Sequence, residues 1–167
     1  MIIAETDRLL IREFVFDDAE RLAPILGDPA VMEYSINGPL SAEATTRFIN
    51  ACTESYSQHG FGQWALVDLD TQALIGFCGL SCVTINQRQD VEIGYRLARS
   101  VWGRGLASEA ASEVLTYGFG KKALSSIIAI IAPAHTASIR VAEKAGFSDF
   151  ETTRYRGWDV RMYRQRR

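Results

Sequence analysis

The sequence is short of the residues from which metal centres and disulfide frameworks are built. Among 167 residues there are three cysteines, Cys52, Cys78 and Cys82, and two histidines, His59 and His135. The cysteines are odd in number and form no CxxC pair. Cys78 and Cys82 stand four apart in a run that reads as a strand, on one face but ~13 Å apart at ~3.3 Å per residue, too far to share an ion. They read as buried or half-buried thiols in a reducing compartment, with no metal site. Neither sign of charge is in surplus: 18 Lys and Arg against 20 Asp and Glu give −2, which exerts no overall pull toward DNA or an anionic membrane. No apolar run approaches the ~18 residues of a membrane helix. Glu5, Asp7 and Arg8 interrupt what would be the apolar core of a signal peptide. Repeats, low-complexity tracts and Pro/Gly/Ser-rich linkers are absent, and a composition of 47% hydrophobic and 23% charged residues argues against disorder. One cytoplasmic domain over residues 1–167 is expected.

What is present points to an α+β fold. Ile2 to Val15 alternates as one strand. Asp17 and Glu20 resemble a capping box opening a helix that Pro24 limits, and Ser41 can cap a second helix carrying Phe48, Ile49, Cys52 and Tyr56. Three strands follow: one around Trp64 to Val67, then Leu74–Cys82 and Val91–Leu97. Leu106, Ala107, Ala110, Ala111, Val114, Leu115 and Gly118 recur at helical spacing. Ser126–Ala132 is a fully apolar strand suited to an interior position. Thr136–Ala145 reads as a helix closed by Gly146, and two strands about a Gly157 turn finish the chain. The order predicts a mixed, mostly antiparallel sheet of about seven strands flanked by about four helices, with one parallel crossover.

The chemistry concentrates between Glu92 and Ala110, where a strand enters a Gly-containing turn and a helix opens at once. Gly103 and Gly105 permit unusual φ and let an anion approach the backbone. The first N–H groups of the helix are unpaired and sit at the positive end of its dipole, and Arg104 adds a mobile cation. The P-loop string GxxxxGK[ST] does not occur. The dinucleotide pattern GxGxxG fails at Ser108, and the next strand ends without an acid. An anion site of another kind is the alternative to a simple glycine-eased turn.

These residues resemble the GCN5-related N-acetyltransferase (GNAT) superfamily, in particular its RimJ/RimL-like branch. Thr6–Arg12, Ile75–Leu80, Glu92–Tyr95, Val101–Ala110 and Ala137–Phe147 follow in that family's order and spacing over nearly the whole chain. The resemblance implies acetyl-CoA as acyl donor, its pyrophosphate held by the amides of Trp102, Gly103, Arg104, Gly105, Leu106 and Ala107. Trp102 stands where Arg or Gln is usual, though Trp is common in this branch. The strand end at Tyr95 to Leu97 would pair with the pantetheine like an added strand. His135 replaces the usual Asn at the start of the last helix and could donate to a pantetheine amide. Ala142 occupies the position of the Tyr that protonates the departing thiolate, leaving Ser138 as the candidate acid.

Acetyl transfer needs a neutral amine, an adjacent thioester and a donor for the developing oxyanion, here a backbone N–H near Leu97. Glu92 is the candidate base, acting through a water, as against a surface carboxylate that merely alternates with Ile93. Tyr34 is the candidate wall of the acceptor pocket. No role is assigned to His59. The expected activity is direct acetyl transfer to a primary amine, either a protein N-terminus of ribosomal-protein type or a small molecule, by a monomer or homodimer. The alternatives are a non-catalytic acyl-CoA sensor and a ribosome-associating module. The arginine-rich C-terminus reads as a charged edge strand and tail.

Overall fold

In the computed structural model, which describes residues 1–167, the amino-terminal alternation divides into two strands, β1 (Ile2–Glu5) and β2 (Leu9–Arg12). The Thr6 hydroxyl accepts from the Leu9 N–H at 2.9 Å and turns the chain back on itself. Two helices follow, α1 (Asp18–Leu26) and α2 (Ala42–His59). Ser41 caps α2 through its side chain, accepting from the Ala44 N–H at 3.1 Å. The expected Asp17 cap is corrected: Asp17 makes no capping bond. Its neighbour Asp18 accepts from the Val15 N–H at 2.9 Å and takes both guanidinium arms of Arg12, at 2.7 and 2.9 Å.

The remaining elements are β3 (Gln63–Asp68), β4 (Leu74–Ile85), β5 (Arg88–Leu97), a 3-10 turn (Arg99–Val101), α3 (Leu106–Phe119), β6 (Ser126–Ile131), α4 (Thr136–Lys144), β7 (Phe150–Tyr155) and β8 (Trp158–Arg166). They form one eight-stranded sheet in the order β1-β2-β3-β4-β5-β6-β8-β7. The sheet has one strand more than the sequence predicts, because Thr6–Arg8 breaks the first strand. Every pairing is antiparallel except β5 with β6.

One face buries Trp64, Cys78, Leu80, Ile93, Ile127 and Tyr163 against α3 and α4. The other face is divided. Phe14, Leu22, Ile49, Ala65 and Phe77 pack it against α1 and α2. Beyond them only a small apolar group remains, Val83, Ile85, Ile128 and Met162, with no helix above it. The sheet is thus thickly covered except on one face of its carboxyl-terminal half.

Two further expectations are corrected. The arginine-rich end is an edge only in part: Arg154 lies on β7, the last strand of the sheet, whereas β8, which carries Arg161, Arg164 and Arg166, is interior, paired with β6 and β7. Its Arg164 bonds both oxygens of Asp90, at 2.6 and 2.9 Å, and Ser126 Oγ at 2.9 Å. Cys52 and Cys78 are buried, but Cys82 is exposed.

Candidate active site

Strands β5 and β6 meet at a single register pair, Glu92 opposite Ile128. Beyond it, toward Leu97 and Ile131, they separate. Ala98 N–H donates to Ile75 O at 2.7 Å, which fixes the alternation of the β4–β5 ladder. Arg96 and Ala98 therefore bond toward β4, while the peptide groups of Tyr95 and Leu97 face the gap. Strand β5 has an open edge there inside the sheet, and Glu92 stands at its closed end.

The open edge leads through the 3-10 turn into the glycine loop. Gly103 and Gly105 have φ of 78° and 76°, a region in which most side chains are strained. Nothing lies within 4 Å of a Cβ built on Gly103, and only Arg8 Nη2, at 3.8 Å, approaches one on Gly105. The backbone N–H groups from Gly103 to Ser108 have no protein partner, and α3 starts without a side-chain cap. Free amides and the dipole of a 14-residue helix suit this concavity to an anion. Trp102 is half exposed, and its indole donates to the Leu97 carbonyl at 2.9 Å, tying the loop to the strand end. Arg104 is not free: its guanidinium bonds the buried Asp68 at 3.0 Å.

A second tether was not legible in the sequence. Arg8 Nη1 donates to the Arg104 carbonyl at 2.8 Å, and its Nε donates to Glu109 at 2.8 Å. Thr6 also donates to Glu109. The only acid in the first turn of α3 is thereby neutralised, which leaves the helix dipole unopposed.

Glu92 lies on the uncovered face, half-buried, and lines a cleft of about 600 Å³ between the end of β4 and the β7–β8 hairpin. Burial pushes its carboxyl up to about 7, against the opposing pull of Arg156 and Arg96. Ser81 is its partner on β4 and accepts from Gln63 Nε2 at 2.8 Å. Gln63 Oε1 is buried without a partner, close to Gly94, where a Cβ would lie 3.7 Å away.

Ser138 is buried in the first turn of α4 on the opposite face. The Tyr95 hydroxyl donates to its carbonyl at 2.9 Å and lies 2.9 Å from its Oγ, which is left to donate to the phenol oxygen. Burial raises the Tyr95 phenol to about 12, with the Ser138 bond opposing. His135 is half-buried before α4 and stacks on Tyr34, ring centres 4.2 Å apart and planes 16° off parallel. The Tyr34 hydroxyl donates to the Ala134 carbonyl at 3.3 Å. Burial, and next the charge of Arg96, lowers His135 to about 4. Tyr34 therefore docks the α1–α2 loop onto α4 and is not among the lining residues of the cleft. The Arg96 guanidinium holds the same loop, bonding Ser35 Oγ at 3.1 and 3.0 Å and the Tyr95 carbonyl at 2.8 Å. No group of three or more His, Cys, Asp or Glu side chains converges anywhere.

A mixed sheet whose one parallel pair splays beside a helix-head anion site is the architecture of an acyl-CoA N-acyltransferase. Residues 8–148 match the acetyltransferase (GNAT) domain family. The uncharacterized Bacillus subtilis protein YkkB is 34% identical over 162 residues, 96% of this chain and 94% of its own. The crystal structure of a GNAT-family acetyltransferase from Bacillus anthracis superposes with a TM-score of 0.83 at 29% identity, over 99% of this chain and 98% of that one. RimL, a ribosomal-protein alpha-N acetyltransferase solved in complex with coenzyme A, shares the fold at 21% identity with a TM-score of 0.80, over 99% and 98% of the two chains. The chain belongs to the GNAT family of N-acetyltransferases.

Proposed function

We propose that the protein transfers the acetyl group of acetyl-CoA to a primary amine by direct attack, without an acyl-enzyme. The observation that carries this reading is continuity: the open edge of β5 runs through one 3-10 turn into the free amides of Gly103–Ser108. A diphosphate on those amides leaves the pantetheine to extend along Tyr95 and Leu97, toward Glu92.

The acceptor enters from the uncovered face, where Glu92 lines the cleft. With its carboxyl raised to about 7, Glu92 is poised to take a proton near neutral pH, through a water that can also donate to the unpartnered Gln63 Oε1. The amine nitrogen then bonds the acetyl carbon, the Leu97 N–H receives the developing oxyanion, and the carbon–sulfur bond breaks. Ser138 supplies the proton to the sulfur and recovers one through Tyr95 or water. A base matters most for an amine that is charged at neutral pH. An α-amine of pKa ~8 is partly neutral already, whereas lysine at ~10.4 must surrender about 4–5 kcal/mol.

The RimJ/RimL-like branch, a cytoplasmic location and an acceptor that is either a protein N-terminus or a small-molecule amine belong to this reading, supported by the motifs quoted above and by the shared fold with RimL. Incubation with acetyl-CoA and a panel of peptides and small amines, following thiol release, tests it. Turnover with at least one amine is expected. Coenzyme binding without turnover across the panel favours the sensor instead.

A further inference from the structure

The cleft beside Glu92 is walled on its far side by the β7–β8 hairpin, and the charges there are unevenly matched. Glu92 is the only carboxylate in the lining, against Arg154 and Arg156. Arg154 is already engaged: it donates to the Gly157 carbonyl at 2.7 Å and lies 3.7 Å from Asp159. Arg156 has no carboxylate partner; its guanidinium rests over the Tyr155 ring, 5.2 Å from the centre. On the other side of Glu92, Arg96 is likewise held only by Ser35 and its own neighbour's carbonyl. Both guanidiniums act through space on Glu92.

The backbone keeps Arg156 at this position. Arg156 and Gly157 have φ of 50° and 83°, the two-residue turn that matches the twist of a hairpin. Glycine, asparagine or aspartate is the ordinary choice at such a first position. A long cation there carries a conformational cost that the turn itself does not require. Thr153 Oγ1 donates to Asn86 Oδ1 at 3.0 Å and pins the hairpin against the β4–β5 turn, so the cleft keeps its shape.

Resting on the acetyltransfer reading, we infer that the acceptor is a small primary amine that also carries a carboxylate, its amine toward Glu92 and its carboxylate on Arg156. Guanidinium recognises carboxylate with paired, charge-assisted hydrogen bonds, which a neutral amide does not supply. A cleft of about 600 Å³ accommodates a molecule of amino-acid size.

The test compares free amino acids with their carboxamides, and peptides bearing Asp at the second position with the same peptides bearing Asn. Rates are corrected for the neutral-amine fraction, because amidation lowers the amine pKa. The wild type is expected to favour a free amino acid over its amide at least tenfold in kcat/KM, with a smaller preference between the peptides. Arg156→Asn, which suits the turn but has no charge, should collapse that ratio to within twofold of unity, and Arg156→Lys should retain most of it. Equal or better use of the amides by the wild type overturns the inference while leaving acetyl transfer intact. So does a ratio that survives Arg156→Asn, and a preference confined to the Asp peptides assigns the subsite to a peptide and overturns the small-molecule claim. Failure of acetyl-CoA to bind, measured separately by calorimetry, overturns the underlying reading and the inference with it.

Discussion

Arg8 Nη1 donates to the carbonyl oxygen of Arg104 at 2.8 Å, fastening the turn between the first two strands to the loop that precedes α3. Glu109 receives the same guanidinium at Nε, at 2.8 Å, so one side chain from the start of the chain holds both the loop and the first turn of α3. Arg8→Gln leaves that loop to be ordered by the ligand and leaves Glu109 uncompensated at the helix head. A charged hydrogen bond contributes roughly 1.5–3 kcal/mol, so the Kd for acetyl-CoA should rise about tenfold or more. Titration calorimetry measures it, with kcat at saturating acetyl-CoA expected to change little. A Kd within twofold of wild type shows that the loop holds its shape unaided.

Gly105 is constrained by φ of 76° and by the open space above it. Valine there costs about 1–2 kcal/mol in backbone strain and places two methyl groups where the diphosphate would lie. Gly105→Val should abolish detectable acetyl-CoA binding while circular dichroism shows the fold retained. Gly105→Asn tolerates the same φ and should bind more tightly than the valine variant. Equal affinities for the two would detach Gly105 from the coenzyme.

Glu92 offers opposite effects on activity and stability. Burial places its folded-state pKa at about 7, above 4.5 for the free side chain. Folding therefore favours the protonated form; its contribution is full below pH 4.5 and is lost as the pH climbs through 7. Above pH 7 the buried charge costs roughly 1–3 kcal/mol, moderated by Arg96, Arg156 and residual solvent. Glu92→Gln should raise the melting midpoint at pH 8 by roughly 2–8 °C, and much less at pH 5. The same variant should lose about 10²–10³ in kcat/KM, together with the activity limb near pH 7. Lysine-type amines should suffer more than α-amines. A limb that persists in the variant assigns the titration to another group.

Ser138 and Tyr95 are linked by two 2.9 Å contacts on the face of the sheet covered by α3 and α4. If Ser138 protonates the departing sulfur, Ser138→Ala should lower kcat about tenfold while leaving the KM for acetyl-CoA nearly unchanged. Tyr95→Phe should lower it less, because the serine hydroxyl remains. The loss should shrink with a thioester whose thiol has a lower pKa, since such a group leaves without help. Parallel losses for both thioesters would indicate a packing role.

The layout was legible where a pattern is local. Ser41, the apolar run Ser126–Ala132, and the glycines of the 102–107 loop each announce their geometry within a few residues. The extra strand has no local mark in the sequence, because Thr6–Arg8 turns through a side-chain bond with no Gly or Pro. Asp17 looked like the cap because two acids stand in succession, and only Arg12 across the turn selects Asp18. Arg104 read as mobile because its partner, Asp68, lies 36 residues away. The tether made by Arg8 and the placing of Arg156 on the cleft beside Glu92 join elements distant in sequence, which periodicity does not encode. The polar neighbourhood of Tyr34 suggests a pocket wall, but its stacking on His135 joins segments distant in sequence and has no local mark.

Calorimetry with acetyl-CoA and with S-acetylpantetheine, which has the arm and thioester but no diphosphate, bears most directly on the claim that the Gly103–Ser108 amides hold the coenzyme. Acetyl-CoA should bind at least a hundredfold more tightly than the truncated thioester. Comparable affinities for the two, or no heat from acetyl-CoA with folded protein, contradict it.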